Sequence, residues 1–389
     1  MTALKILFLN HNVAWSGTFF RGYHLGRELV RRGHDVTLVT THRSRRFGTR
    51  VSDREGLRIV EAPDLWAGPA RNGFDPWNAA SRMWFLRSFD CDLIHAFDSR
   101  PTVIGPALAV RRRTGARLVL DWADWWGRGG TIQERSGWLV RTLVGPIETW
   151  FEETFRNRAD GTTVISTALG ERALALGVRP DRLLCFPQGC DTDGLRPTLQ
   201  PVARQRLGLP AASRILVHLG ALFPNDGQLL FEMLRVARMQ EPELQLVLVG
   251  NPRVPPPADL VATGAVRLTG FIDFPQVSDW LAAADLCVIP LGNSVANRGR
   301  WPSKINDYLA AGRPTVIPDV GDAAKLVTEH RAGWVTSPTP SSFAQACVDA
   351  LGRPEERLSA GLRARQVAEK VLRWSILTDR VETFYKALV

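Results

Sequence analysis

Lys304 and Asp307 stand one helical turn apart in Ser303–Gly312 (SKINDYLAAG), a cation followed by a carboxylate. That pair suits a nucleoside diphosphate: the ammonium meets phosphate and the carboxylate accepts from ribose hydroxyls. An ordinary ion pair on a helix surface uses the same two residues. Pro302 and Ser303 make a helix start with Ser303 as the expected cap, and the dipole favours anions at that end. Ile305, Tyr308 and Leu309 form the stripe expected to be buried. Ala310-Ala311-Gly312 permits close packing and ends the helix, and Arg313-Pro314 leads into a strand, Thr315–Ile317. Gly17-Thr18 offers a second anion-friendly place, between the first strand and its helix, where a small residue lets backbone N–H groups approach an anion. A plain turn between strand and helix has the same signature.

These residues need a scaffold, and the chain supplies one by alternation. Short apolar runs at Leu4–Leu9, Val36–Thr40, Leu93–Ala96, Leu118–Asp121, Thr162–Ile165 and Leu183–Phe186 are separated by amphipathic stretches. Phe19, Tyr23, Gly26 and Val30 share one helix face that Gly33 ends. The pattern restarts after Asp191–Pro210, rich in Gly, Pro and Asp and expected to be a linker, with Ile215–Leu219, Leu246–Val249, Val266–Leu268, Leu286–Ile289 and Thr315–Ile317. A final amphipathic helix is expected over Ser375–Ala387, after Trp374. Strand–helix alternation implies parallel sheets covered on both faces. Open sheets of this kind bind ligands at the carboxyl ends of their strands, so two of them create a cleft.

The 389 residues suffice for two domains, and 45% hydrophobic with 23% charged residues is a soluble globular balance. No run is long enough to span a bilayer, and the start resembles a buried strand rather than a signal peptide, so a cytoplasmic protein is expected. Five cysteines without a C-x-x-C pair argue against a disulfide frame or zinc site, and no metal is expected. The net charge of +10 comes almost wholly from arginine, with clusters at Arg43–Arg50 and Arg111–Arg113. No nucleic-acid recognition motif accompanies it, so nucleic acid is not expected as a partner. An arginine-rich solvated surface explains the charge, as does attraction to diphosphate substrates or to anionic lipid. The second reading would place the protein peripherally on the inner face of the membrane.

Four segments, in order, resemble the retaining GT-B glycosyltransferases of the large family four. Cys185–Pro197 (CFPQGCDTDGLRP) is similar to that family's IPNGVDTDRFRP junction. Val266–Leu291 (VRLTGFIDFPQVSDWLAAADLCVIPL) resembles its VxFLGxVxxxxLxxLLxxADVxVxPS stretch. Lys304–Val316 (KINDYLAAGRPTV) resembles KxxEYMAAGxPVV, and Asp92–Ala96 (DLIHA) resembles DVVHAH. The resemblance implies two Rossmann-like α/β domains facing across a cleft. Residues 1–195 would hold the acceptor and 196–370 the donor, and 371–389 would form a helix crossing back to the first domain. It implies a nucleotide-sugar co-substrate (UDP-, GDP- or another nucleoside diphosphate sugar) and no required cofactor. The glycan, lipid-linked or small-molecule acceptor is unidentified. Front-face attack would retain the anomeric configuration, with the departing phosphate accepting the proton.

The departures matter as much. Of the family's E-x(7)-E pair, the second acid falls on Asp307 and the first on Gly299, so the sugar contact would come from backbone N–H groups at Gly299–Arg300. Where the family has G-R-L and then K-G, this chain has Gly220-Ala221-Leu222 and Asp226-Gly227. Arg298, Arg300 and Lys304 are the expected substitutes for that phosphate-binding pair. Phe271 and Ile272 occupy the position where backbone contacts the base. In the loop Asp121-Trp122-Ala123-Asp124-Trp125-Trp126 the family's usual His becomes Ala123, and Asp124 follows as a candidate catalytic residue. Asp121, Trp125 and Trp126 are acceptor candidates there, the rings either stacking on a sugar or packing structurally. His95, at a strand end, is a catalytic candidate or a buried structural histidine, and Asp98 is a further acceptor candidate. Competing readings are a nucleotide-sugar epimerase, a non-catalytic nucleotide-sugar-binding scaffold, and a basic membrane-surface protein.

Overall fold

Fourteen strands assemble into two sheets, one in each of two compact units, in a computed structural model that describes residues 3–66, 73–134 and 137–389. The first unit comprises Met1–Gln188 and Trp374–Val389, the second Gly189–Arg373.

In the first unit the strands are β1 (Lys5–Val13), β2 (Asp35–Thr41), β3 (Arg50–Arg54), β4 (Leu57–Ala62), β5 (Leu93–Phe97), β6 (Arg117–Trp122), β7 (Gly161–Val164) and β8 (Leu183–Cys185), in the order β3-β4-β2-β1-β5-β6-β7-β8. All neighbours are parallel except β3 and β4, which form an antiparallel hairpin. Both faces are buried, as continuous apolar strands require. Along β1, Ile6 and Phe8 enter one core, under the helices Phe19–Arg31 and Trp374–Leu388. Leu7 and Leu9 enter the other, under Pro101–Thr114. The terminal helix is tied to this unit by a His24–Trp374 ring stack and by Arg32, which donates to Glu382 at 2.9 Å.

In the second unit β9 (Ile215–Leu219), β10 (Gln245–Val249), β11 (Val266–Gly270), β12 (Leu286–Val288), β13 (Thr315–Pro318) and β14 (Gly333–Thr336) lie in the order β11-β10-β9-β12-β13-β14, all parallel. Strand order reverses between β1 and β5 in the first sheet and between β9 and β12 in the second. Loops at these reversals diverge and leave a crevice beyond the carboxyl ends.

Three expectations need correction. The β3–β4 hairpin was not expected from the sequence: Arg50–Arg54 is a charged edge strand without apolar alternation, joined to β4 by a turn at Glu55 and Gly56, both at positive φ. The edge strand β14, only Gly-Trp-Val-Thr, is too short to give a periodic signal in the sequence. The supposed linker Asp191–Pro210 contains a helix, Gln200–Arg206. It is docked because Arg204 reaches Asp285 at 2.9 Å and the Ala283 carbonyl at 3.1 Å.

Candidate functional site

The second unit brings most of the expected donor residues to its strand-order reversal. Buried Ile305, Tyr308 and Leu309 pack the helix Lys304–Ala310 against the sheet, and the Tyr308 hydroxyl accepts from Leu219 N–H at 2.9 Å, at the end of β9. Full burial leaves Ile305 only its backbone to offer a ligand. Lys304 Nζ lies 3.0 Å from His218 Nε2 and donates to the Ala221 carbonyl at 2.9 Å. His218 Nδ1 lies 3.0 Å from the Val288 carbonyl, so it carries the ring proton and Nε2 accepts from Lys304. His218 thereby bridges β9 and β12 at the reversal itself. Burial, and then the Lys304 charge, push its imidazole down to about 3, which keeps it an acceptor.

Burial also pushes the Lys304 ammonium down to about 7, with nearby Arg300 acting in the same direction and Asp226 and Asp307 against it. The Asp307 carboxyl is pushed up to about 7 by burial, with Asp191 adding to the effect and Lys304 opposing it. Among the described residues no ion pair or hydrogen bond engages the Asp307 carboxylate. A half-buried cation and a half-buried acid therefore stand one turn apart without neutralising each other. That is an arrangement a ligand bearing both anionic and hydroxyl groups would complete.

Arg300 adds a second cation. Its guanidinium lies 4.7 Å from the Phe223 ring centroid, and Arg253 lies 5.3 Å from the same ring. Arg253 and Phe223 escape a sequence reading because their proximity depends on how the loops after β9 and β10 fold. Arg298 turns instead to Asn293 Oδ1 at 2.5 Å. Asp226, where the family pattern has lysine, is buried and accepts from Gly292 N–H and Asn297 Nδ2, each at 3.0 Å. It organises the loop that presents Gly299 and Arg300. Gly220, Gly250 and Gly270 end β9, β10 and β11 at positive φ, and Gly220 N–H donates to the Val249 carbonyl at 2.7 Å. Phe271 is almost fully exposed beside Ile272, two strands from Lys304 in the sheet order.

Ser303 does not cap its helix. Its backbone is already helical (φ −51°, ψ −27°), and a capping side chain needs an extended backbone to reach the N–H groups ahead of it. The turn at Gly17-Thr18 is closed in a comparable way. Thr18 N–H donates to Asn12 Oδ1 at 3.2 Å, and Phe19, Phe20 and Arg21 N–H bond the carbonyls of Ser16, Gly17 and Thr18. Those donors are spent within the turn, which removes the basis for expecting an anion there.

In the first unit the expected residues separate into two groups. Asp121 is buried, accepting from Arg21 Nε at 2.9 Å, Arg21 Nη2 at 3.0 Å and Thr163 Oγ1 at 2.6 Å. Burial alone would raise its carboxyl; the Arg21 pair holds it below the usual carboxylate range. Arg21 in turn stacks 3.7 Å over Phe186 and donates to the Phe186 and Pro187 carbonyls. His95 is fully buried, bonded through Nδ1 to the Tyr385 hydroxyl and through Nε2 to Thr163 Oγ1 at 3.1 Å. Burial pushes it down to about 3. Enclosure takes Asp121 out of acceptor binding and His95 out of catalysis; both fix the β5–β6–β7 core and the terminal helix.

The second group borders a small pocket lined by Phe74, Asp98, Ser99, Arg100, Trp126 and Glu148, with Phe151 and Glu152. Asp98 has φ +91°, rare for a residue with a Cβ, and accepts from Ser99 N–H at 2.6 Å and Arg100 Nε at 3.2 Å. His11 Nδ1 lies 3.6 Å from Asp98 across the β1–β5 reversal, and burial, then Arg100, push the His11 imidazole down to about 4. The tryptophan loop has an organiser the sequence does not reveal. Glu152 accepts from Trp122 Nε1 at 2.9 Å and from Trp126 and Gly127 N–H at 2.8 Å each. Guanidinium groups cover ring faces of this loop, Arg172 at 4.3 Å over Trp125 and Arg100 at 4.6 Å over Trp126. Asp124 is half-buried in the same loop.

Residues 21–189 match the glycosyl transferase 4-like domain family, and residues 213–353 match the glycosyl transferases group 1 family. A D-inositol 3-phosphate glycosyltransferase from Thermobispora bispora is 30% identical over 53% of this chain and 50% of its own length. The chain thus spans about half the length of the first curated relatives it matches. A GDP-mannose-dependent alpha-mannosyltransferase from Mycolicibacterium smegmatis is 25% identical over 93% of this chain and 91% of its own. Among solved structures, a sucrose-phosphate synthase from Thermosynechococcus elongatus superposes with a TM-score of 0.79. It is 19% identical and covers 99% of this chain and 98% of that one, a likeness of fold.

Proposed function

The chain belongs to the group 1 glycosyltransferases with a 4-like first domain, and from that premise we propose that it transfers a glycosyl group from a nucleoside diphosphate sugar to an acceptor hydroxyl with retention. The observation that carries the proposal is Lys304. It is anchored between His218 and the Ala221 carbonyl at the β9–β12 reversal, with Arg300 and Arg253 converging on Phe223 and an unengaged Asp307 one turn on. The chemistry demands as much: a leaving diphosphate needs positive charge held in advance, and a ribose needs an acceptor for its hydroxyls. Lys304 would meet the phosphates with help from Arg300 and Arg253, and Asp307 would accept from the ribose. Gly220, Gly299 and the backbone at Phe271 and Ile272 would let the donor approach closely. The negative charge of the incoming diphosphate would raise the Lys304 pKa again, so that the amine takes a proton from solvent and binding and charging are coupled.

We place the acceptor on the first unit, at the pocket bordered by Asp98 and Trp126, with Asp124 nearby in the same loop. Asp98, Arg100 and Glu148 set charged groups beside the Phe74, Trp126 and Phe151 rings there, a mixed lining that suits a sugar, whose hydroxyls meet the polar groups while its C–H face stacks on a ring. A glycan or a lipid-linked glycan both present such hydroxyls. The test is a panel of UDP-, GDP-, ADP- and dTDP-sugars, read by thermal stabilisation and nucleotide release, with the anomeric configuration of any product read by NMR. Stabilisation by one donor with slow release supports transfer. Stabilisation without turnover on a broad acceptor panel points to a nucleotide-sugar-binding scaffold, and no stabilisation by any donor refutes the assignment.

A further inference from the structure

The segment Trp138–Thr154 in the first unit is helical and inverted. It passes from a π-helical stretch, Val140–Val144, into an α-helix, Gly145–Thr154. Two of its three carboxylates point inward: Glu148 and Glu152 are 3% and 2% exposed, the latter held by the Trp122 and Trp126 bonds. Its large apolar side chains point outward, with Trp138 66%, Leu143 64%, Ile147 50% and Trp150 53% exposed. Leu139, Leu143, Ile147 and Trp150 recur at helical spacing, so they form one stripe. A helix folded for water alone turns the other way, polar side outward. Rotation would break the Glu152 bonds to Trp122, Trp126 and Gly127 and part Glu148 from Arg100, 3.6 Å away, so the exposed stripe is a fixed feature of the fold.

A second helix of the same unit repeats the inversion. Pro76–Phe85 buries Asn78 and Arg82 and exposes Trp77, Met83 and Trp84. Phe74, just before it, packs edge-on against Phe151 of the first helix, so the two are neighbours. Trp77 donates its indole N–H to the Arg46 carbonyl at 2.9 Å and packs against Phe47, which protrudes from a loop carrying exposed Arg43, Arg45 and Arg46. From Trp138 to Trp150 the only exposed charged side chain is Arg141.

We infer that this face docks on an anionic lipid surface, the Trp138–Trp150 stripe and the Trp77 region entering the headgroup layer while the arginines meet lipid phosphates. Charge selects this occupant. A second copy of the chain would bring the same arginines and another net charge of +10, whereas an anionic bilayer is complementary. Tryptophans at both ends of an apolar helix face, with arginine between, match the layered polarity of the bilayer edge. No helix of the described residues is long and apolar enough to cross a membrane, so the contact lies in the plane of the surface. The inference is independent of the proposed reaction, since it concerns lipid alone.

The test is sedimentation of the full chain with phosphatidylglycerol–phosphatidylcholine vesicles and with pure phosphatidylcholine vesicles, at low and high salt. The variants are Leu143→Ser/Ile147→Ser and Arg141→Glu, all at exposed positions, with folding checked by circular dichroism. Wild type should sediment with the anionic vesicles and release as salt rises. The double serine variant should lose about tenfold in partitioning, and Arg141→Glu should lose less, with a shallower salt dependence. Absence of wild-type sedimentation, equal binding to neutral vesicles, or partitioning unchanged in the double variant overturns the inference. A dimer that the double variant dissociates, without vesicle binding, assigns the face to a second copy instead.

Discussion

Each unit packs a cation, a carboxylate and a histidine against its central strands, and the outcomes are opposite. In the first unit Arg21 and Asp121 meet in a bidentate pair, and His95 is closed between Tyr385 and Thr163. Every charge finds its partner inside the core, so the cluster is structural. In the second, Lys304 and Asp307 are half-buried and form no ion pair with each other, while His218 spends its only acceptor orienting the lysine. Both groups are drawn towards about 7, one from above and one from below. Residue type alone does not separate these clusters. What separates them is closure: a satisfied buried pair stabilises, and an unsatisfied half-buried pair is poised for a ligand.

The largest expected effect tests the structural cluster. Arg21→Ala leaves the Asp121 charge buried without its partner and should cost about 3–5 kcal/mol of first-unit stability, read by urea unfolding. A loss below about 1 kcal/mol would mean that Asp121 is not held by Arg21, and would reopen its place in acceptor binding. Next comes Asp307→Asn, with the opposite sign. Its folded carboxyl stands near 7, above the unfolded value, so the native acid holds a proton that the unfolded chain has released between about pH 4 and 7. Stability from this group therefore falls as pH rises through that window. The variant should gain on wild type from pH 4 upwards and level off above 7, at an advantage on the order of 3 kcal/mol. A gap independent of pH would break the contrast between the two units.

Lys304→Ala should leave the fold intact and weaken nucleoside diphosphate binding by about 1.5–3 kcal/mol in calorimetry. Wild-type affinity should fall as pH rises above about 7, because the depressed lysine loses its proton there, and the variant should show a flatter profile. Arg300→Ala belongs in the same series. Unchanged affinity in both variants would remove the phosphate role from this end of the sheet.

How much of this was legible follows from how local each signal is. β9 lies at Ile215–Leu219, as the sequence predicts, because a continuous apolar run between breakers is a local signature. The alternation of strand and helix gave the two-sheet architecture for the same reason. The β3 edge escaped because its side chains are charged and only its pairing with β4 makes it a strand. Site chemistry is less local still. Arg21 and Asp121 are 100 residues apart, and Trp122 and Glu152 are 30 apart. Nothing in the sequence near Asp121 says that it is already satisfied. Asp226 shows the converse limit: beside a family pattern it looks like a lost lysine, and only the fold shows it bonding Gly292 and Asn297.

The smallest expected effect lies within the donor segment itself, between two serines with the same apparent role. Ser294 precedes the helix Val295–Gly299 with an extended backbone (φ −121°, ψ 160°), and its hydroxyl accepts from Asn297 N–H at 3.1 Å. Ser303 precedes Lys304–Ala310 with a helical backbone and no such bond. Ser294→Ala should therefore cost about 1 kcal/mol. Because that cap steadies the turn carrying Gly299 and Arg300, it should also loosen nucleotide binding slightly. Ser303→Ala, at an exposed position, should stay within about 0.5 kcal/mol of wild type. Thermal melts of both variants, with and without nucleotide, decide the matter. Equal losses would mean that Ser303 caps after all in solution, and that the start of the lysine helix is held more tightly than its backbone indicates.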